Sequence, residues 1–271
     1  MSEVGTTPRM IQMEQFILQL QKEPMSDREG LFMETFQMTK EELDSMKFFG
    51  MFDVHSDLES LRKQFDRMSL LDFESYIVAE LKRLMMKYPS DKSIQLELFM
   101  LDEHDSFVKD KLGGVSAFTD WNGKMCFIVE ANQGVKNTLK SVVYHEYHHH
   151  WRMSKLKGTE REETLLDRLV LEGLAEHFVR YELGVHFLGP YRDVLSIKEA
   201  RDLWNSTFRH HIHKQGEITN SYMFGNKEMN LPFWSGYSLG YHLIEWYMDE
   251  HREWTMEELT LLPSKSFIKE R

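Results

Sequence analysis

His145-Glu146-Tyr147-His148-His149 places two imidazoles and a carboxylate at the spacing H-E-x-x-H. On a helix, residues four apart differ by about 40° around the axis and lie ~6 Å apart along it. His145 and His149 then reach one metal ion at the usual ~2.0–2.1 Å. Glu146 falls beside them, close enough to take a proton from water that the metal has acidified. The stripe Leu139, Val142, Glu146, His149 and Met153 favours His149 over His148 as the partner of His145. In a chain rich in His and Glu the same pattern also describes a polar helix face carrying solvated histidines.

A hydrolytic zinc site takes three protein ligands and keeps one position open. The next helical stretch, about 160 to 183, has the stripe Leu165, Leu169, Glu172, Glu176, Val179. Two carboxylates thus occupy buried positions, which is costly unless they are paired or metal-bound. Glu172 is the expected third ligand. Glu176, one turn on, is expected behind it, accepting a hydrogen bond from the free nitrogen of a ligating histidine. The alternative is that both acids pair with Arg168 or Arg180 on a half-exposed helix. Gly173, unfavourable inside a helix, suggests close approach between the two metal-bearing helices.

The segment Val-Val-Tyr-His-Glu-Tyr-His-His from 142, Glu-Gly-Leu-Ala-Glu from 172 and Gly-Tyr-Ser-Leu-Gly-Tyr from 236 together resemble the YjaZ-type predicted zinc-dependent proteases. These are similar in turn to gluzincin peptidases. The resemblance covers roughly residues 94 to 262. It implies a zincin-like fold: a small sheet, an active-site helix, and a second helix bringing the glutamate. It also implies that the strand near 115–130 borders the cleft and pairs with an extended peptide. Tyr237 is similar to a helix-start tyrosine whose hydroxyl faces zinc in some gluzincin aminopeptidases; Tyr241 is the second choice. Both also read as core aromatics on a helix that uses its glycines for close packing.

The elements that must position these residues follow from patterning. Residues 10 to 88 read as helices: Ile11, Phe16, Ile17 and Leu20 recur at helical spacing, and Leu71, Tyr76, Ile77, Leu81 and Leu84 carry the pattern to Pro89. Pro24 and Ser26-Asp27 punctuate, and Thr39-Lys40-Glu41-Glu42 is an N-cap followed by acids. Ser93 to Phe99 alternates as a half-exposed strand. Val115–Thr119 and Met125–Val129 are strands joined at Asn122-Gly123, a hairpin signal. From about 137 the chain is mainly helical. The expected class is α+β, predominantly helical, with an N-terminal helical region (1–90) and a zincin-like metallopeptidase domain (91–271).

The net charge of -11 argues against nucleic acid and against an anionic membrane surface. One cysteine, Cys126, excludes an internal disulfide and a cysteine-based zinc site, and its apolar neighbours suggest that it is buried. The 18 methionines suit a reducing cytosol or serve as adaptable core filler. With no secretory pattern at Met1–Gly5 and no long apolar run, a cytoplasmic protein is expected. His148 and His150 are expected at the surface or behind the ligands. His210, His211 and His213 are expected on a solvated face, and Glu160 to Glu163 in the first turn of a helix. The expected function is zinc-dependent hydrolysis of peptides or proteins. The alternatives are a non-catalytic metal-bearing interaction domain and a zinc hydrolase of a non-peptide amide or ester. Retention of Glu146 favours chemistry, because a structural zinc site needs no base.

Overall fold

A computed structural model describes residues 2–22, 27–156 and 162–268. The chain divides into two compact units, Met1–Met86 with Lys92–Val143, and Lys87–Asp91 with Tyr144–Arg271. The class is α+β and predominantly helical. Among the described residues no helix is long and apolar enough to cross a membrane.

In the first unit a four-stranded mixed sheet is formed by β1 (Val4–Thr6), β2 (Ile94–Met100), β3 (Val115–Thr119) and β4 (Lys124–Val129), in the order β1-β2-β4-β3. β1 and β4 flank β2 in parallel, and β3 pairs antiparallel with β4 as an edge strand. The hairpin turn forms where Asn122-Gly123 predicts it. Gly123 takes φ 94°, and the Asp120 carboxylate accepts from the backbone N–H of Asn122 and of Lys124. The other elements of this unit are α1 (Arg9–Lys22), α2 (Arg28–Phe36), α3 (Lys40–Phe48), α4 (Leu58–Leu71), α5 (Phe73–Lys87) and α6 (Ser106–Lys111). Thr39 and Glu42 form a capping box on α3, and Asp27 caps α2. Pro24 and Ser26 lie outside the described residues. Asp72, in the left-handed region at φ 47°, separates α4 from α5.

Phe16, Phe32, Phe36, Phe52 and Phe99 form the aromatic centre of this unit. β2 is not half-exposed: of its seven residues only Gln95 is exposed. The acid at its centre, Glu97, is buried because Arg9 of α1 donates to Oε1 at 2.6 Å and Lys124 of β4 stands 3.1 Å from Oε2.

In the second unit, α7 (Lys136–Lys155), which belongs to it from Tyr144 onward, is joined by α8 (Leu165–Leu183), α9 (Ile197–Ser206), α10 (Ile218–Met223), α11 (Ser235–Glu250) and α12 (Met256–Leu261). Thr164 caps α8 through a box with Asp167, so the helix begins at Leu165 and not near 160. Glu163 precedes the cap, and Glu160 lies outside the described residues. α8 packs most extensively on α11. A Cβ on Gly173 would stand 2.2 Å from the carbonyl oxygen of Gly240, and one on Gly240 would stand 2.3 Å from that of Leu169. The glycine of α8 therefore admits α11, not α7, which corrects the expectation that Gly173 marks a close approach between the histidine- and glutamate-bearing helices. Leu165, Leu169, Phe208, Tyr222, Met223 and Leu239 fill the core beside this contact.

Candidate metal centre

α7 is buried on every side from Tyr147 to Trp151, so its polar residues sort by what each face meets. Tyr147 donates its hydroxyl to the carbonyl of Tyr88, and His150 shares a hydrogen bond with Ser90 at 2.9 Å. His148 lies 3.1 Å from Thr260 Oγ1; that hydroxyl donates to the Met256 carbonyl, so the imidazole is the donor to it. Arg152 binds the Thr260 carbonyl at 2.6 Å, and burial pushes its guanidinium down to about 10. His148 and His150 are thus interior and bonded to Thr260 and Ser90, which corrects the expectation that they lie at the surface or behind the ligands. They tie α7 to α12 and to the 87–91 segment. Cys126 is buried, and His210 and His213 are exposed.

The remaining face gathers His145, Glu146 and His149, all buried, with one ligand-capable atom from each lying within 4.8 Å of the others. The two imidazoles meet edge-on, ring centres 4.5 Å apart. α8 brings Glu172 to them: its Oε2 is 3.1 Å from His145 Nε2 and 3.6 Å from His149 Nε2. Ligands held tetrahedrally at ~2.0–2.2 Å lie about 3.3 Å from each other, so these two separations bracket a tetrahedral edge. Neither Arg168 nor Arg180 takes these acids. Arg168 binds Thr219 and Asn220, and Arg180 binds Tyr241 and Glu245.

Glu176 stands behind His145, with Oε1 2.9 Å from Nδ1. Its other oxygen accepts from the Gly189 N–H at 2.8 Å, and the Tyr191 hydroxyl donates to Oε1 at 2.9 Å. The sequence pattern does not single out Tyr191. It lies in an irregular segment after α8 where periodicity carries no information; the one local sign is Gly189, whose absent Cβ would otherwise stand 2.5 Å from the Tyr191 ring. With Nδ1–H directed at Glu176, the lone pair of His145 Nε2 faces the Glu172 carboxylate, and two acceptors at 3.1 Å require a cation between them. When that cation is a proton, burial opposes the charge on His145, but the hydrogen bonds to Glu172 and Glu176 outweigh it and hold the imidazole well above its ordinary pKa. Burial likewise opposes the charge on Glu172, yet the His149 charge and the His145 hydrogen bond keep it well below the carboxylate range. The donor set fits a divalent transition metal in the same place. Among the described residues His149 Nδ1 is buried with no hydrogen-bond partner, so the two imidazoles are held differently.

Of the three side chains Glu172 is the most exposed, keeping 18% of its surface against 9% and 8% for the two histidines. Tyr237, near the start of α11, packs on Tyr191 and Phe224 at 5.1 and 5.6 Å. Burial, then the Glu172 charge, pushes its hydroxyl well above the ordinary phenol pKa, with Glu146 adding to the shift. Tyr241 is turned elsewhere: its ring stacks on His177 and its hydroxyl accepts from Arg180 at 2.8 Å.

Residues 73–269 match the family described as "Predicted Zn-dependent protease (DUF2268)". Two Bacillus subtilis proteins, both uncharacterised, are similar to the chain. YjfC is 31% identical over 143 residues, 49% of this chain and 46% of YjfC, so the chain spans less than half the length of that relative. YjaZ is 22% identical over 231 residues, 83% of this chain and 84% of YjaZ. No solved structure matches. With its H-E-x-x-H helix and Glu172 on the next, the chain belongs to the predicted Zn-dependent protease family.

Proposed function

We propose that the protein is a zinc peptidase of gluzincin type, acting on peptides or proteins, with His145, His149 and Glu172 as ligands. The observation that carries this reading is the convergence of His145 Nε2, His149 Nε2 and Glu172 Oε2, with a fourth group, Glu146, beside them. A zinc ion held there supplies Lewis acidity, polarising a carbonyl and lowering the pKa of water. Glu146 takes the proton of the attacking water and passes it to the departing amine. Glu176 orients His145 and fixes its tautomer, and Tyr191 holds Glu176. Tyr237 presents a hydroxyl that burial keeps protonated, a donor for the oxyanion that forms on attack. Tyr241 has no part in the reaction, its hydroxyl being held by Arg180.

Metal analysis of the purified protein beside Glu146→Gln and Glu172→Ala, with casein hydrolysis measured on each, tests the reading. Glu146→Gln keeps zinc and loses hydrolysis. Glu172→Ala loses most of the zinc, and full occupancy in that variant would remove Glu172 from the ligand set. A chelator lowers the melting temperature of the wild type, because a ligand bound only by the folded state at 1,000 times its Kd adds about 4 kcal/mol.

A further inference from the structure

Arg168 lies on α8 one turn before Glu172, so the two side chains emerge on the same side of the helix, ~6 Å apart along it. Its guanidinium is held by neutral groups. Nη1 donates to Thr219 Oγ1 at 2.6 Å and to Asn220 Oδ1 at 2.7 Å, and the Thr219 hydroxyl spends its own proton on the Gly216 carbonyl at 2.7 Å. Both Nη1 hydrogens are therefore committed, and the edge formed by Nε and Nη2 is left. That edge is the fork that takes a carboxylate through two parallel hydrogen bonds. Neither atom is sealed from solvent, and among the described residues no carboxylate pairs with Arg168. Arg180 and Arg192 of this unit do meet acids, Glu245 and Asp193, whereas the buried Arg152 is held by a carbonyl and a hydroxyl.

We propose that Arg168 is a specificity-determining residue that anchors a carboxylate of the peptide, either its C-terminal α-carboxylate or an Asp or Glu side chain. This rests on the peptidase reading, and it names the substrate class of that site. Thr219 and Asn220 are positioning residues: they fix the plane of the guanidinium without neutralising it, as a charge kept for an incoming anion requires. In a chain of net charge -11, an uncompensated cation beside the centre is also what lets an acidic substrate approach.

The test uses three pools of N-acetylated randomised tetrapeptides: C-terminal free acid without Asp or Glu, C-terminal amide without Asp or Glu, and C-terminal amide with one fixed Asp. Equilibrium binding is measured to the zinc-loaded Glu146→Gln protein with Arg168 intact or changed to Gln or Lys, and hydrolysis of the same pools by wild type. The free-acid or the Asp pool binds at least tenfold tighter than the neutral amide, and which of the two does so identifies the source of the carboxylate. Arg168→Gln abolishes that preference at unchanged zinc content. If Arg168→Gln does not fold, Arg168→Lys decides: it keeps the charge but lacks the fork, and it loses at least threefold of the preference. Equal binding of all pools, no binding of any, or a preference that survives substitution overturns the proposal. Carboxylate-dependent binding without hydrolysis by wild type would sink the peptidase reading and leave Arg168 standing; hydrolysis of all pools at equal KM would do the reverse.

Discussion

Each unit buries a cluster of ionisable groups, and the two clusters are balanced in opposite ways. In the first, Arg9 and Lys124 meet the two oxygens of Glu97, and the Arg9 guanidinium lies 5.4 Å from the Phe99 ring centre. The carboxylate is offset by cations of the protein itself, one on each oxygen. In the second, Glu172 and Glu176 pair only with imidazoles, tyrosine and a backbone N–H, and among the described residues no lysine or arginine reaches either. Burying carboxylates among neutral donors is unfavourable unless a cation is supplied. Burial of charge alone therefore does not distinguish the two clusters; the difference is that the acids of the second meet no lysine or arginine among the described residues and stand at metal-ligand spacing from imidazoles.

The largest effect expected is on chemistry. Glu146→Gln lowers peptide hydrolysis by about 10²–10⁴-fold while zinc content and melting temperature hold, measured by metal analysis and thermal unfolding. An active Glu146→Gln enzyme would erase the contrast, since the second cluster would then be as inert as the first. The matching break in the first cluster reads out in stability alone. Glu97→Leu strands Arg9 in the interior and costs about 3–5 kcal/mol in urea unfolding, whereas Arg9→Met with Glu97→Leu restores most of the loss. Neither change alters zinc content.

A third buried group sharpens the comparison because it is an imidazole whose hydrogen-bond partner is a backbone carbonyl and not an acid. His177, on α8, donates through Nε2 to the Tyr241 carbonyl at 3.0 Å and stacks on that ring. Burial pushes its pKa down to about 4, the reverse of His145. Between pH 6.5 and 4 the unfolded chain binds a proton that the folded chain refuses, so stability rises with pH across that window. Acidification from 6.5 to 4 removes roughly 3 kcal/mol from this group. His177→Gln flattens that part of the profile of melting temperature against pH, and a slope unchanged by the substitution would clear His177 of responsibility.

What could be read from the sequence was local. The H-E-x-x-H register, the acids on the buried stripe of α8, and the strands β3 and β4 with their Asn122-Gly123 turn each need only neighbours a few residues away. What could not be read depends on distant partners. β1 is three residues long, and its pairing with β2 comes from a strand far along the chain. Glu97 imitates an exposed position because its partner, Arg9, lies in another element. Gly173 signals a close approach, but only tertiary packing names Gly240 as the neighbour. His148 and His150 look superfluous until Thr260 and Ser90 come to meet them. Tyr191 sits where the chain has no period, and nothing in the sequence ties it to Glu176.

The smallest expected effect separates the two imidazoles proposed as ligands. His145 is oriented by a carboxylate that is itself held by Tyr191 and the Gly189 N–H, while His149 Nδ1 has no hydrogen-bond partner among the described residues and relies on packing. If the second cluster is short of positive charge because a metal completes it, weakening Glu176 must loosen the metal without touching the ligands. Glu176→Gln keeps the shape, keeps an acceptor for His145 Nδ1–H, and removes the charge that makes Nε2 a better donor. Zinc affinity, titrated with a competing chelator, should fall by about 10–100-fold. Tyr191→Phe removes one hydrogen bond to the same carboxylate and should fall short of that loss. The order Glu176→Gln worse than Tyr191→Phe, with both zinc-loaded proteins still folded, is the signature of a carboxylate acting through His145. Equal and complete loss in both variants would instead mean that the segment around Gly189 and Tyr191 holds the second unit together, and that its contact with Glu176 is a matter of folding.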